Sequence, residues 1–339
     1  MTETAEQKES IQLTDMPDIL ELSFRHFRGE VDYPHVLTVM DKCKQVDGEE
    51  YTQTLEDVAR QYNNLDNCDP FKDMLFAEVR GEVIGFSRVS WSQESSGEYI
   101  YTLFGMVLPE WRRKGLGTAM LHHDEDRLRQ IAGGHPPETP KFFQTWASEK
   151  EVALIRLMDK ENYQPIRYFF EMTRSTADPI PEAPMPDNLV VRPVLEEEYR
   201  KVFAANDEGF QDHWGHVPVT ENGIKRFMDS PRFNSTIWKV AWDGDEVVGM
   251  VLNFVDEEEN KEFHRRRGYT EEIVVRRLYR KRGLAKSLLA QSIAMFREMG
   301  MQETALGVDT ENLSGALSLY ENMGYQTNKR FTAFRRPLE

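Results

Sequence analysis

The chain has 339 residues, a formal net charge of −16, 40% hydrophobic residues and two cysteines. That length allows two domains of ordinary size, each with its own core. The acidic balance argues against nucleic acid as a partner, because phosphate backbones attract basic surfaces, and no apolar run approaches a membrane span.

In chain order, residues 1–10 read as a polar tail. With no leader-like start, a cytoplasmic location is the default expectation. Ala77 to Gly85 reads as a strand, a tight turn at Gly81 and a second strand. An apolar strand-like stretch then ends at Val107. Arg112-Arg113-Lys114-Gly115-Leu116-Gly117 follows and opens a helical stretch, Thr118 to Arg129. Leu154 to Glu161 reads as an amphipathic helix, and Asn162-Tyr163 lead into a strand, Arg167 to Met172.

Asp178 to Pro186 carries four prolines. Proline fixes φ and lacks an N–H, so this stretch is expected to be extended and outside any sheet. The earlier order then returns. Ala241 to Gly249 repeats the hairpin, with Asp243-Gly244 at its turn. A strand ends at Val275, and Arg280-Lys281-Arg282-Gly283-Leu284-Ala285 opens a helix, Lys286 to Met299. Ala316 to Asn322, Gly324-Tyr325 and a strand from Lys329 to Arg335 complete the repeat. The expected organisation is a mixed α/β domain present twice: residues 9–175, a linker over 176–187, and residues 188–337.

A strand, a basic glycine-containing turn and a helix start form an anion cradle. The first N–H groups of a helix have no intrahelical partner, and glycine lets a phosphate approach the backbone. Two such turns predict a duplicated phosphate-binding domain. Cys43 and Cys68 alone suggest neither a disulfide framework nor a cysteine-based metal site, and no metal is expected.

These turns in this element order resemble the GNAT superfamily of acetyl-CoA-dependent N-acetyltransferases. Its pyrophosphate signature, Arg/Gln-x-x-Gly-x-Gly/Ala, is matched by Arg112, Gly115 and Gly117 and by Arg280, Gly283 and Ala285. The tandem arrangement resembles mycothiol synthase-like two-domain acetyltransferases, in which one domain turns over and the other can bind cofactor without doing so. The resemblance implies two mostly antiparallel, twisted sheets flanked by helices, with acetyl-CoA as cofactor. It implies cofactor contacts from Val275, Arg280, Arg282, Gly283, Leu284, Ala285, Lys286 and Ser287. In the first half it implies contacts from Val107, Arg112, Lys114, Gly115, Leu116, Gly117 and Thr118.

The family's thiolate-protonating tyrosine falls on Tyr320, and the asparagine that contacts the cofactor arm on Asn312. In the first half, aligning Asn162-Tyr163 on Gly324-Tyr325 puts Met158 and Lys150 at those places. Methionine cannot donate a proton, so catalysis is assigned to the second half and the first is read as degenerate. The family's base comes from the strand before the turn. Its ungapped position falls on Tyr269, with Glu271 and Glu272 close by. These two glutamates face opposite sides of a regular strand, so at most one points into the site, and Glu271 is the candidate.

The acceptor pocket is implied to include the loop between the first two helices of the second half, with Asp212 and His213 binding the acceptor and Trp214 forming a wall. The leading expectation is direct transfer of acetyl to a small-molecule primary amine. The alternatives are an acyl-CoA-binding regulatory protein without turnover and a protein or peptide N-acetyltransferase. A monomer is expected, its two domains supplying internally the pairing that single-domain relatives obtain by dimerising.

Overall fold

The structure is a computed structural model describing residues 11–312 and 314–339. The chain divides into two compact units. One runs to Ile166 and also takes in Ala333–Glu339, and the other is Arg167–Thr332.

In the first unit the elements are β1 (Leu22–Arg25), α1 (Tyr33–Asp47), α2 (Leu55–Tyr62), α3 (Pro70–Asp73), β2 (Met74–Val79), β3 (Glu82–Gln93), β4 (Tyr99–Val107), α4 (Leu116–Ala132), β5 (Lys141–Ser148) and α5 (Val152–Lys160). Strands β1 to β4 form an antiparallel meander. β5 joins β4 in parallel, but only over Tyr99–Thr102 against Lys141–Gln144. Local chemistry sets several boundaries. Thr54 and Asp57 form a reciprocal capping box at the start of α2, satisfying two helix-end N–H groups. Val36, Val39 and Cys43 of α1 pack with Phe76, Phe86 and Leu116 in one buried cluster.

The next elements are β6 (Gln164–Ser175), β7 (Val190–Val191), α6 (Tyr199–Phe210), α7 (Glu221–Met228), β8 (Lys239–Asp243), β9 (Glu246–Val255), α8 (Glu257–Glu262), β10 (Arg267–Val275), α9 (Leu284–Glu298), β11 (Glu303–Asp309), α10 (Ala316–Asn322) and β12 (Gln326–Pro337). In the second unit β7 to β10 are antiparallel, and β11 joins β10 in parallel over Arg267–Tyr269 against Glu303–Ala305. α9 lays Leu284, Leu288, Leu289, Ile293 and Phe296 onto the sheet, each nearly fully buried. Each such side chain contributes roughly 1.5–3 kcal/mol of burial.

The boundaries depart from the expected 9–175 and 188–337. β6 pairs antiparallel with β11 from Phe169–Asp309 to Ser175–Glu303, so it is a strand of the second unit. In the first unit Arg335 Nε donates to Gln144 Oε1 at 2.7 Å, Leu338 N–H donates to Lys141 O, and Phe334 packs with Phe143 and Tyr163. Each unit is thus completed by the closing strand of the other half of the sequence. The proline stretch forms no strand, as expected, but it belongs to the second unit. Arg297 donates to the carbonyls of Thr176 and Asp178, Lys286 Nζ donates to Glu182 O at 2.9 Å, and Met185 packs with Leu284 and Leu288.

Candidate active site

The two glycine turns have the same backbone. Arg112 (φ −67°, ψ 156°) matches Arg280 (φ −66°, ψ 158°), and Gly115 (φ 85°, ψ −14°) matches Gly283 (φ 86°, ψ −1°). Such a positive φ is where glycine is needed. Ala119 N–H is the first to bond back, to Gly115 O, and Ser287 N–H likewise goes to Gly283 O. The preceding N–H groups of Leu116, Gly117 and Thr118, and of Leu284, Ala285 and Lys286, are left for an anion.

The side chains expected to help the cofactor are mostly used inside the protein. Arg112 donates to Val107 O and makes a two-pronged pair with Asp47 at 2.6 and 2.8 Å. Arg280 donates to Val275 O, to Gly209 O and to Asp212 at 3.1 Å. In each unit the signature arginine therefore ties the end of the central strand to the first helix or the loop after it. Lys114 lies over Trp111 and Arg282 over Tyr279, the same fold-back in both copies. Ser287 is almost wholly buried, with its hydroxyl against Met185 Sδ. Its N–H and hydroxyl are both taken, which removes it from the expected cradle. Thr118 Oγ1 accepts from Lys160.

Beyond the turn, β10 and β11 stop pairing after Tyr269 and Ala305. Glu271 stands in the resulting wedge, where its Oε1 accepts the Gly307 N–H at 3.0 Å. The strand is not regular here. Its register against β9 shifts between Glu271 and Val274, and Glu272 has φ 47°. The expected alternation of Glu271 and Glu272 is therefore lost. Glu272 accepts from Asn206 of α6 at 2.8 Å, while Glu271 faces β11, and both keep only part of their surface accessible. Burial, and next the charge of Glu272, push the Glu271 carboxyl up to about 8, against the opposing Gly307 hydrogen bond. α6 comes this close because residue 209 is glycine: a Cβ there would lie 2.1 Å from Val274 Cγ1. Tyr269, the ungapped position, is stacked on Phe254, and its hydroxyl is bound to Glu259.

Tyr320 is buried among Leu289 and Ile293 of α9 and Leu306 and Val308 of β11. Burial raises its phenol above the ordinary value, and the nearby charge of Glu271 adds to that. Tyr325 belongs to the core, its hydroxyl held between Thr270 and Thr304. Asn312 Oδ1 accepts the Ser314 N–H at 2.7 Å.

Of the expected acceptor residues, Asp212 is held by Arg277 as well as Arg280, and these two cations draw its carboxyl down to about 2. It is thereby a tether for its loop, which makes it unsuited to receive an amine. His213 packs edge-on against Phe210 at 4.5 Å, and burial lowers its basicity. Trp214 lies 6.1 Å from Phe169 of β6, beside Arg167. Arg167 was missed in the sequence. It pairs with both oxygens of Asp309 at 2.9 Å and bonds Glu311, holding the segment that carries Asn312.

In the first unit a cavity of about 680 Å³ runs from Gly115 and Gly117 to Leu103, Asp124 and Met158. Gly85 pairs with Val107 as Gly249 does with Val275, and three positions further along, Arg88 faces Phe104 as Leu252 faces Glu271, so Phe104 stands at the place of Glu271. Met158 stands at the place of Tyr320 and belongs to a buried apolar cluster. The Tyr163 hydroxyl donates to Glu125 at 2.8 Å, so it is not a replacement acid.

Comparison with known proteins agrees with this fold and these turns. The profile of the acetyltransferase (GNAT) family matches residues 37–135 and again 197–325. The chain belongs to the GNAT family and is a tandem-domain acetyltransferase. It is 24% identical over 288 residues to mycothiol acetyltransferase of Salinispora tropica, covering 79% of this chain and 87% of that protein. It is 39% identical over 127 residues to N-alpha-acetyltransferase MAK3 of Arabidopsis thaliana, covering 34% of this chain and 63% of that one. A solved GCN5-related N-acetyltransferase from Sphaerobacter thermophilus superposes with a TM-score of 0.73 at 23% identity, over 96% of this chain and 97% of its own.

Proposed function

We propose that this enzyme transfers acetyl from acetyl-CoA to a small-molecule primary amine by direct attack, and that the second unit performs the reaction. The observation that carries the reading is Glu271 at the β10–β11 wedge, close enough for its charge to act on Tyr320, against Phe104 and Met158 at the same places in the first unit.

The N–H groups of Leu284, Ala285 and Lys286, with Gly283 in its left-handed conformation, fit a pyrophosphate. The equivalent set in the first unit is Leu116, Gly117 and Thr118. When bound, acetyl-CoA supplies the activated acetyl thioester. Glu271, ionising near pH 8, takes a proton from the acceptor ammonium through water, leaving a neutral amine to attack. Tyr320 keeps its phenolic proton at neutral pH and is the donor to the leaving group. The acceptor's own nitrogen is the nucleophile, so no cysteine is required. Trp214 and His213 line the acceptor side, near Phe169 and Asp309.

The resemblance to mycothiol acetyltransferase along most of both chains supports a small acceptor. The shorter likeness to an N-alpha-acetyltransferase supports a second reading, in which the amine is a peptide N-terminus. Release of free CoA from acetyl-CoA, measured across a panel of small amines and a set of peptides with free N-termini, separates the two. Turnover with small amines and none with peptides is expected. Turnover with peptides alone would move the assignment to the second reading. Silence across both sets, with acetyl-CoA bound, would mean a binding protein without turnover.

A further inference from the structure

The first unit lacks the acid and base of the second, but its cavity is not simply apolar at the inner end. Asp124, on the third turn of α4, is only 5% exposed and lines the cavity beside Leu103, Leu121 and Met158. Ser87 Oγ of β3 donates to Asp124 Oδ1 at 3.0 Å. The other carboxyl oxygen has no partner among the described residues. At the matching position of the second unit stands Ser292. It is satisfied by donating to Leu288 O and accepting from Asn253, so nothing there is left over.

A buried carboxyl with one free oxygen facing a cavity is costly unless it is neutral or meets a ligand. Burial pushes Asp124 up to about 8, and the charge of Glu125 pushes the same way. Glu125 itself is engaged by Tyr163, Arg129 and Arg336. The cavity is also lined by uncharged Thr145 of β5 and Leu154, Leu157 and Met158 of α5, and by charged Arg112, Lys150, Glu151, Arg156 and Lys160, but Glu125 is the charge that acts on Asp124. At neutral pH the free oxygen therefore holds a proton, and Asp124 is a hydrogen-bond donor. Its distance from Gly115 along α4 is about 13 Å by helical rise, comparable to the reach of a pantetheine arm.

We propose that the first unit is an acyl-thioester-selective site. In it Asp124 donates a hydrogen bond to the acyl carbonyl, so that acyl-CoA is held in preference to free CoA. This rests on the reading of Leu116, Gly117 and Thr118 as a pyrophosphate cradle. The thioester is held and not consumed, because Phe104 and Met158 offer neither base nor acid. Selectivity comes from one hydrogen bond that free CoA cannot make, which corresponds to about a fivefold preference.

The test uses the full chain labelled with [methyl-13C]methionine. Met158 and Met120 line this cavity, and their signals report the first unit alone. Titration at pH 6.5 with acetyl-CoA and with CoA should give an affinity about fivefold higher for acetyl-CoA. Asp124→Asn, whose amide still donates, should keep the preference. Asp124→Leu should lose it while still binding CoA. Should that variant not fold, the wild type at pH 9 replaces it, and the preference should be lost as Asp124 ionises. Equal affinities in the wild type, or an unchanged preference in Asp124→Leu and at pH 9, would overturn the role of Asp124 while the cradle stands. Unmoved Met158 and Met120 signals with both ligands would overturn the cradle reading as well.

Discussion

Glu271 accepts the N–H of Gly307 at the point where β10 and β11 cease to pair. A side-chain carboxylate thus takes a hydrogen bond that a continuing ladder would have given to a main-chain carbonyl. The wedge it occupies opens along the strand toward the glycine turn. The carboxyl ionises only near pH 8. As the base it must be ionised, so kcat/KM should rise with pH through about 8. Glu271→Gln should lower kcat/KM about 10²- to 10⁴-fold and remove that limb. A pH–rate profile of the variant that keeps the limb would assign it to the substrate amine.

Gly283 holds φ 86° at the start of α9. Gly283→Ala places a Cβ in a conformation that costs roughly 1–2 kcal/mol and disturbs the N–H groups beside it. The KM for acetyl-CoA should rise about tenfold with kcat little changed. Steady-state kinetics at saturating amine measures this. A fall in kcat alone would argue that this turn does not hold the phosphates.

The Arg112–Asp47 pair is two-pronged and largely covered. Arg112→Ala leaves Asp47 without its partner, and a loss of stability of about 3 kcal/mol is expected. Urea unfolding, read by circular dichroism, should show a lower midpoint. Unchanged stability with weakened acyl-CoA binding would restore the arginine to the cofactor.

Burial pushes the Asp124 carboxyl up to about 8 in the fold, against an ordinary value of about 4. Between those values the folded state binds the extra proton, so this group's contribution to stability falls as pH rises from about 4 to about 8. The limiting slope is about 1.4 kcal/mol per pH unit. Asp124→Asn should remove most of that slope between pH 5 and 7, measured as urea midpoints at each pH. A variant with the wild-type slope would contradict the burial of a neutral acid.

Much of this architecture could be read from the residues. The two glycine turns, the hairpins at Gly81 and Gly244 and the helices after the turns rest on local chemistry, and local chemistry is written in short segments. Which strand closes which unit was not legible. β6 and β12 follow similar helices, and nothing in either strand's own residues names its partner. The site shows the same limit. Tyr320 falls on the motif position and Glu271 lies two residues from the ungapped one, but the bulge that turns Glu272 toward Asn206 depends on pairing with β9. Arg112, Arg280 and Asp212 looked like ligand groups because their types suit phosphates and amines. Their carboxylate and arginine partners lie far away in sequence or across a loop, so the ion pairs appear only in three dimensions. Nothing in the residues beside Asp124 marks it as facing inward, and its contact with Ser87 of β3 exists only in three dimensions.

The most direct test of the catalytic assignment is turnover of wild type and Tyr320→Phe with the best amine found, together with acetyl-CoA binding by calorimetry. A fall in kcat of at least about tenfold, with cofactor affinity kept, is predicted for a lost proton donor. Wild-type turnover in Tyr320→Phe would contradict the placement of the chemistry at Tyr320 in the second unit.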